Sequence, residues 1–292
     1  MDLKQYGKTI KMIRENLNIS RKQLYDGVMV KSNAQRFEKG EQDSSFEKVS
    51  ILLDRLELSF DEFIYIHHKY KEPERERFLH DFVNLKDTTN TTGIMDLHHK
   101  ITRAGVADDT SLLGRLRIVL EAFELYNKDQ HFENAKQLVE PIWKQLEQKD
   151  TWYYNDILIM ANIYYVLEDE AVVTNITKML KQIKKYAGYK NSVNLDTVIL
   201  LNYCVYLSKR GRVLETEPYV QRALENAKKY KQTDYLIQAK MKLAELLWAQ
   251  GKKTEATEIA EKMFMVLENL DRLELLKDFK QDWEKITSEN RD

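Results

Sequence analysis

Residues 20–41, SRKQLYDGVMVKSNAQRFEKGE, decide the reading of this chain. Ser20 is a favourable N-cap, and Leu24 and Val28 follow it at helical spacing. Gly27 supplies freedom for a tight turn, and Ser32 is placed to cap a second short helix that closes at Gly40, a natural left-handed terminus. The second helix carries Asn33, Gln35 and Arg36 on one side. Asn and Gln can pair with adenine in a bidentate way, Arg can pair with guanine, and a helix N-terminus favours phosphate. The segment therefore predicts a helix-turn-helix whose second helix enters the major groove. Arg36, Asn33, Gln35 and Ser32 are expected at base edges or nearby phosphates, and Arg21, Lys22, Lys31 and Lys39 along the backbone.

Outward from that stretch, the pattern is helical throughout. Three prolines and nine glycines punctuate 292 residues, and apolar side chains recur at three and four rather than at two. A first helix is predicted over about 3–16, with Tyr6, Ile10, Ile13 and Leu17 on one stripe. A fourth is predicted over 46–56, with Val49, Leu52, Leu53 and Leu56 inward. Ser59 caps a fifth, whose Asp61 and Glu62 sit where the dipole favours acids. Five helices make an N-terminal DNA-binding domain of residues 1–66, with 67–73 leading onward.

Residues 67–292 read as a second domain of helical hairpins. A shift of forty residues superposes Asp156 on Asp196, Asn162 on Asn202, Leu167 on Leu207, Gly211 on Gly251 and Glu215 on Glu255. The predicted pairs are 151–167 with 172–187, 195–209 with 215–230, and 234–250 with 254–270, with an earlier copy at 112–126 and 132–147. A fixed period in helix pairs marks an α-solenoid, here with a unit longer than the ~34 residues of a tetratricopeptide repeat. Leu273 to Ile286, with Leu276, Phe279 and Trp283 as its stripe, reads as a terminal cap or a dimer contact. The tract DTTNTTG, residues 87–93, reads as a loop between two short helices. The fold expected is all-α: a five-helix helix-turn-helix domain followed by a tetratricopeptide-like solenoid.

Charge supports the division. From Met1 to Gly40 nine basic residues face four acidic ones, whereas from Glu41 to Ile66 two basic residues face seven acidic, within a net charge of −1. Positive charge is thus concentrated on the proposed reading helices, as phosphate contact requires. Cys204, the single cysteine, lies inside the apolar run VILLNYCVYL and reads as a buried, inert thiol in a reducing compartment. The start MDLKQYGKTI has no apolar signal region, and no apolar run approaches the ~20 residues that cross a bilayer, so a cytoplasmic protein with no membrane partner is expected. Catalysis finds no support. His67–His68 and His98–His99 are sequence neighbours that point apart on a helix, and HExxH, CxxC and glycine-rich phosphate loops are absent. No cofactor or metal is expected.

Solenoids of hairpins line a concave face with their first helices, which suits an extended peptide. Asn155, Leu158, Asn162, Tyr165 and Asp169 share one stripe; Val198, Asn202, Tyr206 and Lys209 share the next; Tyr235, Gln238, Lys242 and Glu245 share a third. An asparagine amid ILIMANIYY, and again amid VILLNYCVY, is costly unless its amide is hydrogen-bonded. Such an amide can clamp a peptide backbone, or it can bond within the solenoid, and both alternatives stand at this point. Tyr165 and Tyr206 would supply walls beside Asn162 and Asn202, Gln238 and Lys242 the third-helix contacts, and Asn155 a further amide. Arg115 is the candidate cation for a peptide's terminal carboxylate.

The run Gln35-Arg36-Phe37-Glu38-Lys39-Gly40, continued by FEKVSILLDRLELSFDEF, resembles the Ser-Arg-Phe-Glu-Arg-Gly signature that closes the recognition helix of the Rgg/GadR/MutR regulators of Gram-positive bacteria, within the wider group of cytoplasmic peptide-pheromone receptors. The resemblance extends to the whole architecture. It implies a homodimer that binds double-stranded operator DNA and responds to a short signalling peptide in the repeat domain, as in quorum sensing. Gln35 stands where the signature has Ser, and the N-terminal domain has no cysteine for the intersubunit disulfide of some relatives. A different class, a helical-repeat adaptor that binds a protein partner without operator recognition, uses the same solenoid, with the N-terminal domain serving only for docking.

Overall fold

The computed structural model describes residues 6–85, 90–106, 108–129, 132–164, 169–189 and 192–288. Every regular element among them is helical. Two compact units emerge, Met1–His80 and Asp81–Asp292.

The first unit contains α1 (Tyr6–Asn16), α2 (Arg21–Tyr25), α3 (Lys31–Lys39), α4 (Phe46–Arg55) and α5 (Phe60–His67), and it takes in the start of α6 (Glu74–Asn84). Ser20 caps α2 as its sequence promised: its Oγ accepts from Gln23 N at 3.2 Å, while Ser20 N donates to the Gln23 side chain at 2.8 Å. Ser45 and Ser59 cap α4 and α5 through their hydroxyls, which accept from Lys48 N and Glu62 N. Each such cap is worth about 1 kcal/mol of local stability. Gly40 takes φ 75° at the end of α3, a conformation that costs glycine little.

Two local expectations are corrected. Ser32 does not cap α3. The turn at Gly27, with φ +70°, completes the reversal early enough for Val30 to be the extended N-cap residue, so α3 starts at Lys31 without a side-chain cap. Leu17 is half exposed rather than inward, because α1 ends at Asn16 and Asn18 turns left-handed with φ 56°; Ile19 packs on the core in its stead. The compact unit that holds these helices extends to His80. The His67 ring lies edge-on to Tyr6 at 4.6 Å, and its Nδ1 is 2.9 Å from Thr9 Oγ1, so the end of α5 is tied back to α1.

The core of this unit is Ile10, Ile13, Leu24, Ala34, Phe37, Val49, Leu52, Leu53, Leu56 and Phe63. Its closest approach is the crossing of α1 on α3. A methyl group at Gly7 would sit 1.8 Å from the Phe37 carbonyl oxygen, so glycine alone permits this crossing.

In the second unit, α7 (Thr91–Arg103) precedes four hairpins: α8 (Leu112–Asp129) with α9 (Phe132–Glu147), α10 (Tyr154–Ile163) with α11 (Asp169–Ile183), α12 (Ser192–Ser208) with α13 (Glu217–Lys229), and α14 (Thr233–Ala249) with α15 (Lys253–Asn269). Part of the tract read as a loop is helix: Asn90 caps α7, its Oδ1 accepting from Gly93 N at 3.0 Å, while residues 87–89 lie outside the described set. Partners pack within each hairpin, and the first helices α8, α10, α12 and α14 pack on one another in sequence, which is the solenoid arrangement. α16 (Leu273–Ser288) packs on α14 and α15, with Leu276 and Trp283 buried, and so closes the last repeat. The Trp283 ring meets Trp248 edge-on at 5.5 Å.

Candidate functional site

α3 places Ala34, Phe37 and Glu38 toward the core, three positions that share a face at roughly 100° per residue. The opposite face is thereby turned to solvent. Lys31, Ser32, Gln35, Arg36 and Lys39 are exposed, and Asn33 is half-buried at the margin. Among the described residues, Lys22, Lys31 and Arg36 have no carboxylate within ion-pair distance, and Lys39 reaches Glu41 only at 3.8 Å between two exposed groups. With no side chain capping it, α3 also presents its first-turn N–H groups. This face offers cations, amides and a helix dipole of one sign.

The face is held from behind by a buried charge network. Glu38 is 1 % exposed and Arg14 6 %. Arg14 Nε donates to Glu38 Oε1 at 2.7 Å and Nη2 to Oε2 at 3.2 Å, while Nη1 donates to the Ile19 carbonyl at 2.8 Å. Arg21 Nε donates to Glu38 Oε2 at 2.6 Å. Burial acts to raise the Glu38 pKa, but the hydrogen bonds and charges of the two arginines outweigh it and hold the carboxyl below its ordinary value. Burial, followed by the charge of Glu38, pushes the neighbouring Tyr25 hydroxyl well up. One carboxylate thus ties α1, α2 and α3 together. Arg21, expected on phosphate, spends its Nε on this tie, with its side chain only partly exposed. Arg55 adds a second fastening: Nη1 donates to the carbonyls of Leu24 and Asp26 at 2.7 and 2.8 Å, satisfying the end of α2. Sequence reading counted Arg14 and Glu38 only as charges. The signal was their register, since each falls on its helix's inward stripe.

In the solenoid, Asn155 and Asn162 are half-buried on α10, while every residue from Asp156 to Ala161 between them is buried. On α12 the half-buried stripe is Val198, Asn202 and Val205, and exposed Lys209 follows just past its end. Tyr206, expected there, is 1 % exposed. At roughly 100° per residue it lies farther round the helix than Val205, so it turns into the core. There it stacks on Tyr203 at 5.8 Å and meets Tyr164 at 6.2 Å. Tyr165 lies outside the described residues.

The two recurring asparagines bond within the solenoid. Asn162 Nδ2 donates to the Leu158 carbonyl at 2.8 Å, and Asn202 Nδ2 donates to Ala161 at 3.1 Å, pinning α12 to α10. Each side-chain amide retains further donor and acceptor capacity. On α14 Gln238 is half-buried with an Nε2 that meets no hydrogen-bond partner among the described residues, and Lys242 Nζ sits 2.7 Å from Glu245 Oε2.

Arg115, the candidate cation for a peptide's terminal carboxylate, is already engaged by an acid of the solenoid. Its Nη1 donates to Asp156 Oδ1 at 3.0 Å, where Lys149 Nζ also binds at 2.8 Å. Burial raises the Asp156 pKa, yet Lys149, Arg115 and the Tyr153 N–H together hold it below the usual carboxylate range. The repeat-matched Asp196 accepts from Arg222 at 2.8 Å and Asn226 at 2.9 Å, and Asp234 accepts from Arg272 at 3.3 Å. The recurring acid that helped reveal the forty-residue period is therefore a fastening between helices. Among the described residues, no three metal-ligating side chains converge, and no helix is long and apolar enough to cross a membrane.

A family model described as "HTH-type transcriptional regulator Rgg, C-terminal domain" matches residues 116–281. No curated protein matches the chain in sequence. Among solved structures, a candidate transcriptional regulator from Listeria monocytogenes EGD-e is similar with TM-score 0.78 at 20% identity, covering 98% of each chain. The SHP pheromone receptor Rgg2 of Streptococcus dysgalactiae is similar with TM-score 0.69 at 16% identity, over 96% of this chain and 99% of that one. PlcR of Bacillus thuringiensis, solved in complex with the peptide PapR7 and DNA, is similar with TM-score 0.68 at 15% identity, over 96% and 98%. At such identities the likeness establishes the fold, over nearly the whole length of each chain.

Proposed function

Since the chain belongs to the Rgg family of HTH-type transcriptional regulators, we propose that it is a cytoplasmic, homodimeric, sequence-specific DNA-binding protein controlled by a short signalling peptide. The observation that carries the DNA part is the solvent face of α3, with Lys31, Ser32, Gln35, Arg36 and Lys39 exposed and a buried Arg14–Glu38–Arg21 network behind it. Arg36 and Gln35 read base edges, with Asn33 and Ser32 at the margin. Lys22, Lys31 and Lys39 hold phosphates, and Arg21 fixes the position of α2. A rigid mount is what base readout needs, because bidentate contacts tolerate little misplacement. Two copies related by a twofold axis would read half-sites about one helical turn apart.

The peptide part rests on the first-helix face of the solenoid, where Asn155, Asn162, Asn202, Gln238 and Lys242 are partly exposed on successive helices. Their remaining amide capacity suits the backbone of an extended peptide. PlcR, similar in fold and solved in complex with both a peptide and DNA, supports a protein of this fold that takes both ligands.

An electrophoretic shift with the DNA upstream of the chain's own gene tests the reading. A sequence-selective complex that weakens steeply with salt is expected. The absence of any shift at low salt would favour a helical-repeat adaptor in place of a regulator.

A further inference from the structure

Residues 171–195 carry five lysines, Lys178, Lys181, Lys184, Lys185 and Lys190, and no acid, in a chain whose 46 basic and 47 acidic residues otherwise balance. The described part of the run lies on α11 and on the short 3-10 turn Lys184–Tyr186 that follows it. Val172, Ile176, Met179 and Ile183 are buried and form the inward stripe of α11. At roughly 100° per residue, Lys181 falls on the opposite face. Lys181, Lys184 and Lys185 are all exposed, and among the described residues none of them has a carboxylate within ion-pair distance.

The other second helices of the solenoid pair their charges. Lys144 meets Glu140 on α9, Lys262 meets Glu258 on α15, and Arg222 of α13 reaches Asp196 on α12. On α11 only Lys178 is committed: its Nζ donates to the Lys149 carbonyl at 2.7 Å and stands 4.2 Å from the centre of the Trp152 ring. The turn that carries Lys184 and Lys185 is held in place. Tyr154 N donates to the Tyr186 hydroxyl at 3.1 Å, and the rings of Tyr154, Tyr186 and Tyr189 meet one another edge-on at 5.4 to 5.9 Å. Like charges one helical turn apart repel by about 0.2–0.5 kcal/mol per pair, which a polyanion relieves.

The spacing and the chemistry favour nucleic acid. Lys181 to Lys185 covers about 6 Å of helix axis, while each strand of B-DNA presents a phosphate about every 3.4 Å of its own axis. The three ammonium groups can therefore engage two or three successive phosphates. Lysine is a mobile point charge without a fixed fork, which suits phosphate and carries no base preference. An acidic protein partner would call for an apolar anchor as well, and Val173 is the one large apolar side chain exposed among the described residues of α11.

We propose that Lys181, Lys184 and Lys185 form a second phosphate-binding surface, carried by the solenoid, that takes the backbone of duplex DNA flanking the operator. This role rests on the operator-binding reading above. It adds affinity that is independent of sequence, whereas α3 supplies the selectivity.

The test uses the full chain and two duplexes: the shortest upstream fragment that wild type binds, and the same fragment lengthened by about two helical turns of random sequence at each end. Affinities are measured over a range of salt. Wild type should bind the long duplex at least about tenfold more tightly, with a salt slope steeper by about two to three for each protomer engaged. Replacing the flanks by another random sequence should leave that gain unchanged. The triple variant Lys181→Gln, Lys184→Gln, Lys185→Gln should bind the short duplex like wild type and lose the gain on the long one. The triple arginine variant at the same positions should restore it, since the charge returns. Equal affinity of wild type for both duplexes, or a gain that survives in the glutamine variant, overturns this second surface and leaves the operator reading standing. A wild type that binds neither duplex overturns both.

Discussion

Replacing Glu38 by leucine is the most revealing perturbation of the reading domain. Arg14 would be left 6 % exposed with its strongest partner gone, keeping the bond to the Ile19 carbonyl and the contact to exposed Glu15. Removing one member of a buried ion pair costs about 3–5 kcal/mol, chiefly because the remaining charge has no counter-charge. Arg21 is partly exposed and can turn to water, so its share is small and the lower end of the range applies. A loss of about 3 kcal/mol increases the open population of α1–α3 by about 150-fold. Amide hydrogen exchange of the intact chain reads this locally, without requiring the two units to unfold together. Exchange in residues 6–39 should accelerate by about two orders of magnitude, with α12–α15 unchanged. The double variant Glu38→Leu with Arg14→Met should recover most of the protection, since an apolar replacement of the whole pair removes the orphaned charge. A single variant whose exchange rises less than threefold, or a double variant no better than the single, would refute the claim that this network holds the three helices. The pH dependence has a definite sign. The folded-state pKa of Glu38 lies below its unfolded value, so its contribution is complete above the ordinary carboxylate range and is lost as pH falls through the folded pKa. Protection of α1–α3 should therefore decline in acid before that of helices lacking such a pair.

Other outcomes follow from single contacts. Gly7→Ala would ordinarily favour a helix by about 1 kcal/mol, but here its methyl would meet the Phe37 carbonyl at 1.8 Å; a drop of at least about 2 kcal/mol in chemical unfolding is expected, and a stabilised variant would disprove the close crossing. Asn202→Ala removes the bond from α12 to the Ala161 carbonyl and should cost about 1 kcal/mol of solenoid stability besides weakening any peptide response; a response lost with no change in stability would show that this bond contributes nothing to the fold. The Cys204 thiol, which burial pushes up to about 12, should resist a thiol-specific reagent at pH 8 until the chain unfolds, and rapid labelling of the folded chain would place it elsewhere.

What could be read from the sequence was whatever is encoded locally. Ser20, Gly40, Ser45 and Ser59 terminate helices through bonds to residues three or four away, so a serine before an apolar stripe or a glycine after one sufficed for Ser20, Gly40 and Ser59. The solenoid was legible because its units repeat, and Trp283 as part of a cap because its stripe was plain. What periodicity does not reveal is contact with partners distant in sequence. Arg21 and Arg115 were assigned to ligands because their acids, Glu38 and Asp156, lie 17 and 41 residues away. Tyr206 was placed on the open face because a one-residue difference from Val205 rotates a side chain by roughly 100°, a resolution that periodicity in a uniformly apolar helix cannot supply.

The central claim is that α3 reads bases and its flanking lysines read phosphates. Measuring the binding of Arg36→Ala and Lys22→Ala to the upstream operator and to random duplex, over a range of salt, tests it most directly. Arg36→Ala should lose about 1–3 kcal/mol on the operator alone, and Lys22→Ala should weaken both DNAs alike and reduce the salt slope by about one. Two variants that behave identically on both DNAs, or a wild type that binds neither, would contradict it.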